Sequence, residues 1–240
     1  MKMYKKLFCV SIIPLVVFFS QANYSKADDT WQLDGNSAEM SDDEEIEQGK
    51  RVDEYIRHHF YLCNDAELIQ AVNNIARKLI VLSDRKTLPF TCTIIQSRSI
   101  NAFSAPGGYI YVTYGLLAFA KSEDEVAGII GHEIAHASLR HVSRLYHEVM
   151  ENSHGSESDL DVTLLLNNHL EEFEYEADST GVFYAYKAGF NPNGLPDFLE
   201  RHLDLMMSDR IFSLLNFSFS VKVNSRINLL RKYIPTLKKE

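Results

Sequence analysis

The sequence predicts a mostly helical α+β domain that contains one small antiparallel sheet. Two observations lead to this class. Apolar residues recur at helical spacing through several long segments. Strand-like runs on both sides of a Pro-Gly-Gly turn indicate a hairpin near the middle of the chain. A chain of 240 residues that is 45% hydrophobic has enough apolar material to bury the core of one such domain.

The charge balance narrows the class of partners. The chain has 24 basic and 33 acidic side chains, which gives a formal net charge of −9 at pH 7. An acidic balance argues against nucleic acid as the main partner, because nucleic-acid-binding proteins need basic surfaces. We therefore expect no nucleic-acid partner.

The N-terminal segment has the features of a secretory signal peptide. Three lysines lie within the first six residues, a short run that is apolar apart from Ser11 follows, and small residues stand at Ser20 and Ala22. This is the order of the charged, apolar and cleavage regions of a signal peptide. We expect residues 1–22 to be this peptide, with cleavage after Ala22 or, alternatively, after Ala27.

The rest of the chain is expected to form one exported domain. Residues 23–43 are polar without a period and predict an extended tail, and residues 44–240 form the domain. No second long apolar run follows, which predicts no integral membrane span in the mature chain. Cys63 and Cys92 would then lie in a compartment that permits disulfides. Because the sequence does not fix their distance, a bond and two separate thiols are both open.

The domain is predicted to begin with two helices. Ser41 suits the N-cap of a helix that runs to about His58, since acidic residues follow it directly. Asn64 or Asp65 can cap the second helix. Its apolar residues recur at helical spacing over 68–80 and form one face.

Three strand-like runs come next. Phe90–Ile95 is rich in β-branched and aromatic residues. Ile100–Ser104 and Tyr109–Thr113 flank Ala105–Gly108, whose Pro-Gly-Gly sequence is typical of a tight turn. These two runs predict an antiparallel hairpin.

The remainder is predicted to be helical. Ser122, with Glu125 three residues later, fits a capping box that starts a helix near Glu123. Three further helices are expected, over Leu160–Lys187, over about Leu195–Met207 and from about Ser225 onward.

The helix that begins near Glu123 carries a pattern typical of a metal site. His132 and His136 lie four residues apart, and Glu133 directly follows the first histidine. On a helix this spacing places both imidazoles on one face, one turn apart, with the glutamate beside them. Zinc accepts nitrogen and oxygen ligands in a near-tetrahedral shell. The pattern therefore predicts two zinc ligands and a general base.

The next long helix can complete this site. Glu174 can supply a third ligand, and Asp178, one turn further, faces the same way. A carboxylate at this position can accept a hydrogen bond from a ligand imidazole and fix its tautomer. His141 is expected to be exposed, and Glu176 is expected to lie on a solvated helix face.

Three segments in order resemble the signatures of zinc metallopeptidase family forty-eight, which includes CAAX prenyl proteases, HtpX and BepA. They are Asn101–Thr113, Gly131–His136, and Glu174–Asp178 with the nearby Gly181. The likeness covers roughly residues 44–232. It implies a gluzincin-like fold.

The resemblance also implies roles for individual residues. One Zn²⁺ per chain would be held by His132, His136 and Glu174, with Glu133 as the catalytic base. Asp178 would support a ligand from behind. The substrate would lie along an edge strand at Asn101, Ala102 and Phe103.

The chain departs from the family in three features. Some members have several membrane spans and others add a tetratricopeptide-repeat domain. Neither is expected here, so the chain is most similar to a soluble exported member. A His-Pro pair of many relatives aligns with Ser220 and Val221 when their Arg-Ile pair is matched to Arg226 and Ile227.

A peptidase site also needs a donor for the negative charge that develops on the substrate. Arg226 is the leading candidate because it lies in the family-like Arg-Ile stretch, although a surface salt bridge is an equally open role. His202, Tyr184 and Tyr186 are alternatives. The polar segment Glu151–Asp159 suits a mobile lid over the cleft.

These features predict a zinc-dependent endopeptidase in the periplasm of a Gram-negative-type envelope. By its resemblance it would cleave misfolded or unassembled envelope proteins for quality control, with substrates shared with an assembly machinery or adaptor. The alternative is a periplasmic chaperone or adaptor that keeps the fold but binds without efficient cleavage. Glu133 beside two histidines favours the enzyme, because a binding protein has no need of that arrangement.

Overall fold

The structure, a computed structural model, describes residues 40–144, 159–208 and 217–239, with side chains described outside 159–170, 217–221 and 238–239. The predicted signal peptide, residues 1–22, lies outside these ranges. The same holds for most of the predicted tail and for residues 151–158 of the predicted lid.

The described part of the chain is mostly helical, which confirms the predicted α+β class. Its helices are α1 (Asp42–His59), α2 (Ala66–Ile80), α3 (Tyr114–Phe119), α4 (Glu123–Ser138), α5 (Asp159–Lys187), α6 (Gly194–Met207) and α7 (Phe217–Tyr233), followed by a 3₁₀ turn (Ile234–Lys239). No helix in these ranges combines the length and the apolar character that a membrane crossing needs.

The predicted helix starts are formed by the capping residues that the sequence indicated. Ser41 and Glu44 make a complete capping box, in which each side chain bonds the backbone of the other residue. Asp65, rather than Asn64, caps α2. The Ser122 hydroxyl accepts from the Glu125 backbone at 3.3 Å. The short helix α3, which was not expected, is capped by the Thr113 side chain.

The sheet is small and mixed. Its strands are β1 (Thr91–Ile95), β2 (Ala102–Ala105) and β3 (Tyr109–Thr113), in the order β1-β3-β2. The β2–β3 hairpin is confirmed, with Ala102 opposite Val112. The expected all-antiparallel sheet is wrong, because β3 lies between β1 and β2 and runs parallel to β1. Strand composition does not encode direction, so the sequence did not reveal this pairing.

Helix α1 lies directly on the hairpin turn, Pro106–Gly108. A Cβ atom on Gly107, whose φ is +72°, would lie 2.7 Å from the Ile46 Cα. A Cβ on Gly49 of α1 would lie 2.2 Å from the Pro106 carbonyl oxygen. Both positions require glycine, because any side chain would collide with backbone.

Helix α4 lies at the centre of the domain and is buried on nearly every side from Glu125 to Ser138. It packs against α2, α5, α6 and β2. Ile129, Ile130 and Ile134 are at most 1% exposed, and burial of such side chains stabilises the fold by about 1.5–3 kcal/mol each. The histidines of this helix are therefore held in a rigid setting.

The start of the last helix differs from the prediction, and the state of the two cysteines is resolved. Helix α7 begins at Phe217 instead of near Ser225. The run from Phe217 to Val223 alternates apolar and polar residues, a pattern typical of a strand, and so gave no helical signal. Cys63 and Cys92 are free thiols, and burial raises the pKa of Cys92 to about 12.

Candidate metal centre

Helix α4 brings His132 and His136 together as the sequence predicted. The two Nε2 atoms lie 3.0 Å apart, and the imidazole planes are nearly perpendicular, at 82°. Each residue is 1% exposed. Two buried imidazole nitrogens that converge in this way can supply two ligands to one metal ion.

Helix α5 crosses α4 in backbone contact next to these histidines. A Cβ on Gly181 would lie 2.4 Å from the His132 backbone nitrogen, and one on Gly131 would lie 2.7 Å from the Gly181 carbonyl oxygen. This close crossing brings Glu174 to the imidazoles. Its Oε2 lies 3.6 Å from His132 Nε2, and its Oε1 lies 3.5 Å from His136 Nε2.

The three side chains fit one metal ion. Their ligand atoms all lie within 4.8 Å of one another, and no other such group of His, Cys, Asp and Glu occurs in the parts of the chain that the structure describes. A tetrahedral ion with bonds of about 2.0–2.1 Å separates its donors by roughly 3.3 Å, close to the separations seen. Glu174 Oε1 is buried without a hydrogen-bond partner in the same parts of the chain. A cation would satisfy this atom.

Asp178 and Arg226 contact the side chains of this cluster. Asp178 Oδ1 lies 2.9 Å from His132 Nδ1. The Arg226 guanidinium donates two hydrogen bonds of 2.7 Å to Asp178, and its Nη1 lies 2.5 Å from Glu174 Oε2. The Asp178 carboxylate thus lies where it can accept a proton from His132 Nδ1, which would leave Nε2 of that ring for the cluster.

The charges of this group are mutually stabilising. Burial acts to raise the pKa of Glu174, but Arg226 and the two imidazoles outweigh it and hold the pKa at about 2. Burial likewise opposes ionisation of Asp178, yet Arg226 and His132 hold its pKa far below the usual range. Both carboxylates are therefore ionised at neutral pH, as metal binding and imidazole support require.

Glu133 is buried on the same helix, 3% exposed. Burial raises its pKa, although His132 and His136 act in the opposite direction. A carboxylate whose pKa is raised accepts a proton more readily than an ordinary one. This is the property that a general base needs.

His141 contacts this cluster through His136, although the sequence analysis expected it to be exposed. It is 0% exposed, and its Nδ1 lies 2.9 Å from His136 Nδ1. Glu176, expected on a solvated face, is half-exposed and lies 2.9 Å from His141 Nε2. The five-residue spacing from His136 gave no helical signal, because α4 ends at Ser138.

The segment expected to bind substrate lies at the sheet edge beside α4. In the described sheet β2 pairs with β3 alone, so its other edge has no strand partner. Asn101 and Ala102 are buried, and Phe103 stacks on Tyr111 with ring centroids 4.9 Å apart. The Asn101 side-chain oxygen has no hydrogen-bond partner among the described residues.

The other oxyanion candidates lie in different environments. His202 packs among the rings of Phe119 and Phe198, and burial lowers its pKa to about 4. Tyr184 is buried in the hydrophobic core around α4, and Tyr186 is partly buried and packs against that core. Ser220 and Val221, the positions that the sequence analysis matched to a His-Pro pair, lie on the helical backbone of α7.

A mostly helical fold with two histidines on one helix and a glutamate on the next defines a gluzincin-like domain. Residues 64–220 match Peptidase family M48. The chain belongs to this family.

Several curated proteins are similar to this chain. The putative beta-barrel assembly-enhancing protease of Vibrio cholerae is 31% identical over 68% of this chain and 38% of its own length. The beta-barrel assembly-enhancing protease of Escherichia coli K12 is 26% identical over 69% and 39%. The mitochondrial metalloendopeptidase OMA1 of Arabidopsis thaliana is 34% identical over 45% and 24%. The chain thus spans about two fifths of the length of the first two relatives.

Proposed function

We propose that this chain is a zinc-dependent endopeptidase that hydrolyses peptide bonds of misfolded or unassembled envelope proteins. The observation that carries the proposal is the buried cluster of His132, His136 and Glu174 with Glu133 beside it. Two imidazoles and one carboxylate are the donor set of a catalytic zinc site, which keeps a fourth position open.

The bound metal would supply Lewis-acid chemistry, by polarising a substrate carbonyl and lowering the pKa of water to about 7. The protein groups do the rest. The Glu133 carboxylate takes a proton from the attacking water and passes it to the leaving amine. Asp178 holds the His132 ring in the orientation that presents Nε2.

The substrate would bind as an added strand. An extended peptide can pair with the outer edge of β2, next to Asn101, Ala102 and Phe103. Main-chain pairing gives affinity with little demand on side chains, which suits unfolded protein as a substrate class. Arg226 is proposed as the oxyanion donor, in addition to its pairing with both carboxylates.

The substrate class is proposed from the relatives. Those from Vibrio cholerae and Escherichia coli are named for the enhancement of beta-barrel assembly. Their names support an exported, periplasmic chain that acts on envelope proteins, together with an assembly machinery or adaptor. A chaperone or adaptor on the same fold is the competing function.

The test is zinc content and cleavage of casein by the purified protein, beside Glu133→Gln and a chelator-treated sample. We expect one zinc per chain and loss of cleavage by at least about 100-fold in Glu133→Gln with zinc retained, since a general base contributes about 10²–10⁴-fold. Glu123→Gln, an exposed substitution on the same helix, is the matched control.

The outcomes separate the two functions. Near wild-type cleavage by Glu133→Gln would remove the role given to Glu133. Zinc binding without cleavage, combined with suppression of casein aggregation, would support the chaperone or adaptor. Absence of zinc from the wild-type protein would remove the metal centre itself.

A further inference from the structure

His141 has no part in the mechanism above, yet both of its ring nitrogens are engaged. Nδ1 faces His136 Nδ1 at 2.9 Å, and Nε2 faces Glu176 Oε2 at 2.9 Å. Its ring stacks on Phe173 with centroids 4.4 Å apart and planes 8° from parallel. A fully buried imidazole with two fixed partners and a stacked face has one orientation available.

The direction of these hydrogen bonds follows from the proposed metal site. A histidine that binds a metal through Nε2 carries its proton on Nδ1. Nδ1 of His136 must then donate to Nδ1 of His141, which has to be unprotonated. The His141 proton therefore resides on Nε2 and is donated to the Glu176 carboxylate.

We propose that His141 and Glu176 are positioning residues that fix the tautomer of His136 and raise its basicity as a ligand. This proposal rests on the metal site proposed above. Asp178 serves His132 directly, at 2.9 Å. His136 contacts its carboxylate, Glu176, through the His141 imidazole. One proposed ligand histidine is therefore held by a carboxylate directly and the other through a second imidazole.

The backbone after α4 is built to place His141 in this position. Arg140, the residue before it, has φ of +57°, in the left-handed region that residues other than glycine rarely adopt. Its guanidinium bonds the Met40 carbonyl oxygen at 2.7 Å and contacts Asp42 and Glu45 of α1. These contacts hold the turn that folds His141 back towards His136.

Glu176 is held from the other side. Arg144 Nη1 lies 3.6 Å from Glu176 Oε2, and the Arg144 guanidinium lies over the Phe173 ring, 4.5 Å from its centroid. The Glu176 side chain is 42% exposed. A substitution there can interrupt the proton-donating chain without opening the core.

The experiment measures Zn²⁺ affinity by competition with a chromophoric chelator. Glu176→Ala and His141→Leu should each weaken Zn²⁺ binding by about 10–100-fold, the range found for residues that support metal ligands. His141→Asn, whose side-chain oxygen can replace Nδ1 as acceptor, should weaken it less than His141→Leu. Glu172→Ala, an exposed substitution on the same helix, should bind as the wild type does.

Two further readouts distinguish support of the ligand from a role in folding. In His141→Leu, the added Glu176→Ala should cause no further loss of affinity, because the connection is already broken. Nitrogen NMR of ring-labelled histidine in the Zn²⁺-loaded protein should show His136 protonated at Nδ1 and His141 at Nε2.

The results that overturn the proposal are distinct. Unchanged Zn²⁺ affinity in Glu176→Ala, or the opposite tautomers, would reject the role of His141 and Glu176 while leaving the metal site in place. Failure of the wild-type protein to bind Zn²⁺ would reject both proposals together.

Discussion

Arg226 neutralises two buried carboxylates at once. Its guanidinium bonds Asp178 through two nitrogens and reaches Glu174 with the third, and all three side chains are at most 9% exposed. Planar bidentate pairing is the strong form of an arginine–carboxylate contact. These buried ion pairs exclude the surface salt bridge that the sequence analysis had considered for Arg226. The role of Arg226 as oxyanion donor stays a prediction.

Arg226→Met should destabilise the metal-free protein by about 3–5 kcal/mol, because two buried carboxylates would lose their counter-ion. Arg231 offers a matched control on the same helix, since it pairs with the more exposed Asp197 and Glu200. Arg231→Met should cost less than about 1 kcal/mol. Urea unfolding of both variants measures the difference.

Equal losses in the two arginine variants would contradict this account. They would mean that water reaches Asp178 and Glu174 once the guanidinium is gone. Partial recovery of Arg226→Met stability on addition of Zn²⁺ is also expected, since the metal would neutralise Glu174.

Residue identity and helical spacing were enough to predict most of the site. His132 and His136 meet because four residues return to one helix face, and Glu174 and Asp178 repeat that spacing on α5. His141 could not be found this way. Its position depends on the left-handed conformation of Arg140, and a single arginine in that region has no sequence signature.

At the scale of elements, two glycines set the distance between the imidazoles of α4 and the Glu174 carboxylate of α5. Gly131 and Gly181 allow α4 and α5 to touch backbone to backbone, and α5 could not approach His132 so closely with any larger residue there. Glu174 lies about two turns before Gly181 on α5. A small separation of the helices at the crossing would therefore move the carboxylate away from the imidazoles.

Gly181→Ala tests this dependence. The new methyl group would lie 2.4 Å from the His132 backbone nitrogen, so the helices must separate. We expect a stability loss of about 1–3 kcal/mol, typical of overpacking, together with weaker Zn²⁺ binding. Ser179→Ala, on the same helix, removes only local hydrogen bonds from the hydroxyl to the Tyr175 and Glu176 carbonyl oxygens and serves as the control.

The stability of Gly181→Ala is measured by urea unfolding and its Zn²⁺ affinity by competition with a chelator. A loss of stability with unchanged Zn²⁺ affinity would show that the crossing contributes to packing but does not set the ligand distance. Loss of both in Gly181→Ala, and of neither in Ser179→Ala, is the expected pattern.

Helix starts were predictable where a capping residue in the sequence marks them. Ser41, Asp65 and Ser122 cap their helices by side-chain bonds to the next turn, a rule that needs no tertiary context. The parallel pairing of β1 with β3 depends on how distant segments meet. The early start of α7 likewise depends on its surroundings, since its first residues alternate as a strand would.

Across the whole molecule, carboxylate–arginine contacts tie the peripheral elements to α4 and its end. Asp42 contacts Arg85 and Arg140, which joins α1 to the segments after α2 and α4. Glu125 accepts from Arg201 at 2.6 and 2.7 Å, which joins the start of α4 to α6. Acid should weaken these connections together, in a chain with 33 acidic side chains.

The pKa of Glu125 shows in which direction stability should change with pH. Burial acts to raise its pKa, but Arg201 and the Lys121 backbone N–H outweigh burial and lower the pKa below the ordinary value of 4.5. A group whose pKa is lowered on folding contributes stability that is fully present above its unfolded pKa. That contribution is lost as the pH falls through the lower, folded pKa.

Glu125→Gln cannot ionise at this position, so the difference in unfolding free energy between it and the wild type should depend on pH. We expect the difference to be largest at pH 7 and to shrink below about pH 4.5, as the wild-type carboxylate becomes protonated. Urea unfolding at pH 7, 5, 4 and 3, in the presence of chelator, measures it. Glu123→Gln, exposed in the same turn, should stay within about 0.5 kcal/mol of the wild type.

A difference that stays constant or grows towards acid pH would mean that Arg201 does not hold Glu125 ionised. The attachment of α6 to α4 would then depend on apolar packing, such as that of Leu195 against Gly128, where the structure allows no side chain.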